Sequence, residues 1–209
     1  MHITVESADS VVGSARFHFH DVDGSMFNLI RHALFKDVPV LAADTVTFIQ
    51  YDGPLEPEMV SHRIGQLPLQ FVVGATPVGS SVATFELNKV ADVKKSGLTW
   101  LTSHDIKCVT GNAEIIHYRS HEEKRLASGD GGFLLVPLHP GQRLHLTFLA
   151  RVSTGREATR WVSTYCIPKF EPHLHMVVET TGAITPVAAM KAALGDIIQK
   201  LHKLSEAGT

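Results

Sequence analysis

Hydrophobic and polar positions follow a helical period near the two ends of the sequence and a two-residue period through most of its middle. Near the N-terminus, this spacing predicts a helix from residue 26 to about Lys36, which ends there because Pro39 disfavours helical geometry in the residue before it. Residues 143–152 alternate clearly, and short strands are predicted over most of residues 70–170. The sequence therefore predicts an α+β protein with a strand-rich centre.

The C-terminal segment carries an apolar stripe that needs a second helix to cover it. Thr185 and Pro186 supply an N-cap and a proline at the first helical position. Apolar residues then recur at steps of three and four, as in the seam of a coiled coil: Val187, Met190, Leu194, Ile197, Leu201 and Leu204. Either the chain's own sheet or a second chain could cover this seam, and we favour an association surface between chains. The first helix would add a shorter stripe to such a four-helix interface: Phe27, Ile30 and Leu34.

Composition and charge restrict the class of protein. The 209 residues are 44% hydrophobic and 19% charged, which is typical of one large or two small globular domains. The formal net charge of −2 gives no overall basic field, so any contact with DNA is expected to be local or made by a partner. The opening MHITVESADS lacks the features of a signal peptide, and no stretch reaches the ~18 apolar residues that span a bilayer. We expect a soluble intracellular protein that does not bind membranes.

Histidine and cysteine are the residues with which this chain could hold a metal. Two pairs, His18 with His20 and His173 with His175, each place two imidazoles on one face of a predicted strand. If the pairs met, they would supply four nitrogen ligands, as in a stand-alone histidine-metal β-barrel enzyme. We favour the alternative that each pair lies on the solvent side of a half-buried strand. The two cysteines are too few for a four-thiolate zinc site or a disulfide framework.

Four segments, in order along the chain, resemble those of one protein family. The segment at 22–48, VDGSMFNLIRHALFKDVPVLAADTVTF, is similar to the alpha motif of multisubunit DNA-directed RNA polymerases, an Asn-x-x-Arg-Arg helix followed by a Val/Ile-Pro-x-x-Ala-Ile strand entry. PEMVSHRIGQLPLQ at 57–70 resembles the family's His-Arg-Leu-Gly-x-x-Pro-Leu segment, found in the third-largest subunit of eukaryotic polymerase II and in its archaeal counterpart. LHPGQRLHLTFLARVSTGREATRW at 138–161 resembles its Lys-Gly-Gln-x-Leu strand and Gly-x-Glu-His-Ala-Lys-Trp loop. VVETTGAITPVAAMKAALGDIIQKL at 177–201 resembles the helix entry that bacterial alpha also carries.

The resemblance implies an alpha-like polymerase subunit with a two-domain α+β fold. A discontinuous dimerisation domain would comprise residues 1–39 and 171–209, and residues 40–170 would form an inserted domain that contacts the large subunits. Such a subunit is not itself an enzyme. It would dimerise with a smaller alpha-like subunit, a homodimer being the less favoured arrangement. The dimer would be the platform for the largest and second-largest catalytic subunits, and DNA would be reached only through the complex.

The resemblance also assigns residues to the contact with the large subunits. On the first helix these residues are Asn28, Arg31 and His32. On the later loop they are Arg156, Arg160 and Trp161. The chain departs from the family pattern where Arg31-His32 replaces an arginine pair and where Glu157-Ala-Thr-Arg160 replaces Glu-His-Ala-Lys. It also lacks the cysteine-rich loop of many relatives, so no metal or other cofactor is predicted. Shortness and divergence suggest a viral polymerase, active in a nucleus, a viral factory or virion, or the cytoplasm.

Overall fold

The computed structural model describes residues 2–9, 13–71, 81–94, 96–117, 132–170 and 173–207. The fold is α+β with antiparallel sheets, which confirms the predicted fold class. Contacts divide the chain into two compact units, Met1–Val40 with Ser153–Thr209, and Leu41–Val152. The first unit is thus built from both ends of the chain, and the second is inserted between them.

The first unit consists of one sheet and two long helices. Its strands are β1 (His2–Asp9), β2 (Ser14–His20), β11 (Thr164–Lys169) and β12 (His175–Thr180), and its helices are α1 (Gly24–Lys36) and α3 (Pro186–Ala207). The strand order is β1-β2-β12-β11, with every pair antiparallel. Alternation along the strands buries one face of the sheet under the helices: Ala15, Phe17, Phe19, Met176 and Val178.

Helix α1 begins at Gly24, two residues before the predicted start at residue 26, and it ends at the predicted Lys36. The Asp23 side chain accepts a hydrogen bond from the Met26 amide at 2.7 Å and caps the helix. The last helical residue is Lys36, and Asp37 is the C-cap, two residues before Pro39. Helix α1 packs against both α3 and β11, so it lies between the second long helix and one edge of the sheet.

The second unit is rich in strands. Its elements are β3 (Val40–Tyr51), α2 (Pro57–Gly65), β4 (Leu69–Phe71), β5 (Ser81–Val90), β6 (Thr99–Thr102), β7 (Ile106–Thr110), β8 (Ala113–Ile115), β9 (Leu134–Leu138) and β10 (Arg143–Ser153). A four-stranded sheet has the order β3-β10-β5-β7, and two smaller sheets pair β4 with β8 and β6 with β9. Its core includes the stacked rings of Phe85 and Phe148, with centroids 4.8 Å apart.

The second boundary between the units differs from the predicted one. Residues 153–170 were predicted to belong to the inserted domain, but β11 pairs with β12 along its whole length, from Thr164 opposite Thr180 to Lys169 opposite His175. Because this ladder joins β11 to the sheet of the first unit, the chain returns to that unit at Ser153. Residues 171 and 172, at which the predicted boundary falls, lie outside the described residues.

Within the described residues, neither long helix is apolar enough over its length to cross a membrane.

Candidate functional site

The predicted apolar seam of α3 divides into a covered part and an exposed part. Met190 and Ile197 are buried against the chain's own sheet and α1, and the same stripe includes Ala189 and Ala193. Val187 and Leu194 are half-buried. The remaining large apolar residues of the helix are exposed, with Ile198 at 55%, Leu201 at 52% and Leu204 at 69%. We call Val187, Leu194, Ile198, Leu201 and Leu204 the α3 outer face.

The apolar stripe of α1 faces inward rather than toward a partner. Phe27 and Ile30 are 0% exposed and Leu34 is 1% exposed. The prediction that these three residues contact a second chain is therefore corrected, because the sheet and α3 of their own chain already cover them. They belong to the core that holds α1 against α3 and the sheet. The exposed large apolar side chains of α1 are Leu29 and Phe35, which lie outside the predicted stripe.

A carboxylate at the end of α1 connects three segments of the first unit. Asp37 has only 8% of its side chain exposed, and it accepts hydrogen bonds from both Nε and Nη2 of Arg156. It also accepts a bond from Nζ of Lys200 on α3 at 2.8 Å. Burial alone would raise the pKa of Asp37, but the hydrogen bonds from Arg156 and Lys200 outweigh it and hold that pKa below its ordinary value. The loop after β10 and the second half of α3 are thereby fixed to α1.

The loop that carries the other predicted contact residues is packed tightly beside α1. The amide of Arg156 donates to the carbonyl oxygen of Lys36 at 3.2 Å. At Gly155, a Cβ atom would lie 2.6 Å from the carbonyl oxygen of Phe35, so only glycine allows this approach. Arg156 is exposed, but its guanidinium is engaged with Asp37.

Trp161 does not lie at the surface. Its side chain is 2% exposed, so its predicted role as a direct contact with a large subunit is corrected to a structural one. The Arg160 guanidinium lies 5.5 Å from the centroid of the Trp161 ring, at a distance suited to a cation–π interaction. Arg160 itself is exposed, as its predicted contact with a partner requires.

Two of the contact residues predicted on α1, Arg31 and His32, line an open groove between that helix and β11. The groove has a volume of about 600 Å³, and we call it the α1–β11 groove; it is lined by Arg31, His32, Phe35, Tyr165, Cys166 and Ile167. Arg31 donates to the Asn28 side-chain oxygen at 3.4 Å, so Asn28 orients the guanidinium. Burial raises the pKa of the Cys166 thiol to about 11, although Arg31 acts in the opposite direction. The thiol is therefore protonated at neutral pH and is not an activated nucleophile.

The histidine strands are neighbours in the sheet. His18 pairs with His175, and the centroids of their rings are 5.4 Å apart. Both rings lie on the face opposite the buried Phe17 and Met176, as the favoured interpretation predicts. His18 also contacts a carboxylate oxygen of Glu6 at 3.0 Å. In the part of the chain that the structure describes, no three histidine, cysteine or acidic residues form a group that could hold a metal ion.

Comparison with known proteins connects this arrangement to one family. The model of the RNA polymerase Rpb3/Rpb11 dimerisation domain matches residues 16–201. DNA-directed RNA polymerase subunit Rpo3 of Thermococcus kodakarensis is 24% identical over 168 residues, which are 78% of this chain and 58% of that protein. The Rpo3 subunit of Methanosphaera stadtmanae is 26% identical over 187 residues, 86% of this chain and 64% of that one. Subunit 3 of DNA-directed RNA polymerases II, IV and V of Arabidopsis thaliana is 23% identical over 159 residues, 70% of this chain and 50% of that one.

The chain thus spans from half to a little under two thirds of the length of these relatives. The comparisons give no support to the alternative of a histidine-metal enzyme. They confirm the resemblance found in the sequence, since the matched segment includes all of α1, most of α3 and the strands between them. The chain belongs to the family of the RNA polymerase Rpb3/Rpb11 dimerisation domain.

Proposed function

We propose that this chain is a non-catalytic assembly subunit of a DNA-directed RNA polymerase. Its first unit pairs with a smaller alpha-like subunit, and the resulting heterodimer is the platform on which the largest and second-largest subunits assemble. The observation that carries this proposal is the α3 outer face, a row of half-buried and exposed apolar side chains on a helix that lies mostly within the segment that matches a dimerisation family. Such a row is unfavourable in water and is typical of a surface that a partner covers.

The size of the expected stabilisation follows from exposure. Fully burying an aliphatic side chain contributes about 1.5–3 kcal/mol, so covering the exposed half of Ile198, Leu201 or Leu204 contributes about 1 kcal/mol each. Three such residues do not hold a stable dimer alone, because association has a large entropic cost. Leu194 and Leu29, with the matching face of the partner, would complete the interface.

We assign contact with the large subunits to polar residues of the first unit and to the inserted unit. On α1 these are Asn28, Arg31 and His32, and after β10 they are Arg156 and Arg160. Arg31 forms no ion pair with a carboxylate among the described residues, so its charge is available to an acidic partner. Charged residues of this kind set register and the rate of association more than they add affinity.

The polymerase carries out the chemistry, and this chain meets DNA only through the complex. Its place of action is that of the polymerase inside the cell: a nucleus, the cytoplasm, or a viral factory or virion. No metal ion or other cofactor is assigned to it.

Affinity purification from the native source, followed by mass spectrometry, tests the proposal. The tagged chain should recover two very large subunits and one small alpha-like subunit in equal amounts. Recovery of this chain as a homodimer with two large subunits would contradict the proposed heterodimer but support the proposed role as an assembly platform. Recovery of a monomer without any large subunit would overturn the proposal.

A further inference from the structure

Strand β11 is an edge strand of the first unit. It pairs with β12 on one side, and on its other side no strand of the described residues pairs with it. The hydrogen bonds at its start show which backbone groups face outward. The backbone carbonyl oxygen of Ser163 accepts a hydrogen bond from the Thr181 amide at 2.9 Å. The odd-numbered residues of β11 therefore direct their backbone N–H and C=O groups toward β12. Because these directions alternate along an antiparallel strand, Thr164, Cys166 and Pro168 direct theirs away from β12.

Pro168 supports this assignment. A proline has no amide hydrogen, and within sheets it is confined to positions where that hydrogen is not needed for the ladder. At residue 168 the nitrogen faces the open edge, so no bond to β12 is lost. Thr164 is 0% exposed beneath α1, so the outward donor that a partner can reach is the amide of Cys166. The reachable outward acceptors are the carbonyl oxygens of Cys166 and Pro168.

The side chains around this edge are apolar with a basic border. Tyr165 is 56% exposed and Ile167 is 50% exposed on β11, and Phe35 is 42% exposed on α1. Arg31 and Lys36 also border the groove, and Glu179 of β12 is its acidic member. Asp37, the other nearby carboxylate, is already engaged with Arg156 and Lys200. The border thus has an excess of positive charge.

We propose that β11 pairs with an extended segment of one of the two large polymerase subunits, which adds a fifth strand to this sheet. The segment carries an acidic residue opposite Arg31 and an apolar residue over Ile167. Main-chain hydrogen bonds to Cys166 hold the segment, and the α1–β11 groove selects its side chains. This inference rests on the proposed function and adds to it a mode of binding.

Hydrogen–deuterium exchange at single-residue resolution tests the pairing. The probe is the polymerase purified through this chain, compared with the free chain. The Cys166 amide should exchange in the free chain and be slowed at least tenfold in the complex. The Ile167 amide, already bonded to β12, is the internal control and should be slow in both. Unchanged exchange at Cys166 in a complex that contains both large subunits would overturn the inference and leave the proposed function standing. A preparation without large subunits would overturn both.

Two substitutions at one position separate the backbone from the side chain. Cys166→Pro removes the outward amide hydrogen, whereas Cys166→Val removes the thiol and keeps that hydrogen. The proline variant should recover at least tenfold less of the large subunits while retaining the alpha-like partner, which shows that it is folded. The valine variant should recover wild-type amounts. Equal recovery by the two variants would contradict strand addition.

The charge of the bound segment is tested separately at Arg31. Arg31→Glu should lower recovery of the large subunits, and Arg31→Lys should retain most of it. Full recovery by the glutamate variant would contradict the acidic residue proposed opposite Arg31.

Discussion

Replacing Asp37 by asparagine removes the negative charge that connects α1, the loop at 154–158 and α3. The wild-type carboxylate accepts two hydrogen bonds from Arg156 and one from Lys200, while asparagine offers a single neutral acceptor oxygen. The change is close to isosteric, so packing around the side chain is preserved. The experiment therefore measures the charge.

The magnitude follows from the exposure of the partners. Arg156 is 61% exposed and Lys200 is 48% exposed, so each pair is screened by solvent and contributes about 1 kcal/mol, the upper end for surface ion pairs. A carboxylate at a helix C-terminus is itself unfavourable by about 0.3–1 kcal/mol, which asparagine relieves. The variant should therefore lose about 1–2 kcal/mol of unfolding free energy, or roughly 2–8 °C in Tm.

The pH dependence has a definite sign. Because the pKa of Asp37 in the folded protein lies below the ordinary 3.8, its contribution is fully present above the unfolded pKa and is lost as pH falls through the folded value. Urea denaturation of wild type and Asp37→Asn should show a constant difference from pH 8 to 5. Below about pH 4 the difference in unfolding free energy between wild type and Asp37→Asn should become smaller. Added salt should also reduce it.

Asp196→Asn is the matched control. Asp196 forms an ion pair with the same Lys200 at 2.6 Å, but as an i,i+4 pair along one helix it should contribute no more than about 0.5 kcal/mol. Equal losses for the two variants would refute the reasoning, and so would an Asp37→Asn difference that grows on acidification.

Three further predictions concern other residues of the first unit. Trp161→Ala should lower the unfolding free energy by about 3–5 kcal/mol, because it empties a buried site; a change within 0.5 kcal/mol would restore the surface assignment. Gly155→Ala should destabilise by at least about 1 kcal/mol in urea denaturation, whereas Gly195→Ala, with open space for a Cβ on α3, should stabilise by about 0.5–1 kcal/mol; the reverse order would contradict the packing at Gly155. With its pKa near 11, Cys166 should be about one part in a thousand thiolate at pH 8 and react with iodoacetamide far more slowly than the exposed Cys108; equal rates would contradict its burial.

The end of α1 and the start of α3 follow from local signals. Asp23 and Pro39 mark the ends of α1, and Thr185 with Pro186 marks the start of α3, because caps and prolines act on neighbouring backbone groups. The assignment of β11 to the first unit could not be predicted from the local sequence pattern. Its membership of the first unit depends on pairing with β12, and strand pairing is a tertiary property that a local pattern does not encode.

The sequence pattern also could not predict which apolar residues of α3 face the core and which face outward. The steps of three and four on α3 fit two neighbouring stripes, and burial of Ala189 and Ala193 shifts the covered stripe away from Leu194 and Leu201. Alanines carry little weight in an apolar pattern, so the two stripes could not be separated. The Asp37 contacts were missed for another reason, since they join residues 119 and 163 positions apart in the sequence.

The most direct test of the account is the mass of the complex that this chain forms with a co-expressed small alpha-like subunit from the same polymerase. Leu201→Asp places a charge on the α3 outer face, and Gln199→Asp places the same charge on another exposed side of that helix. Leu201 is 52% exposed in the free chain, so the substitution should leave the monomer folded. In the dimer it would bury an unpaired charge, at a cost of about 3 kcal/mol, or roughly 150-fold in Kd. Analytical ultracentrifugation should show a one-to-one heterodimer for wild type and Gln199→Asp, and separate monomers for Leu201→Asp; an undiminished heterodimer with Leu201→Asp would contradict the account.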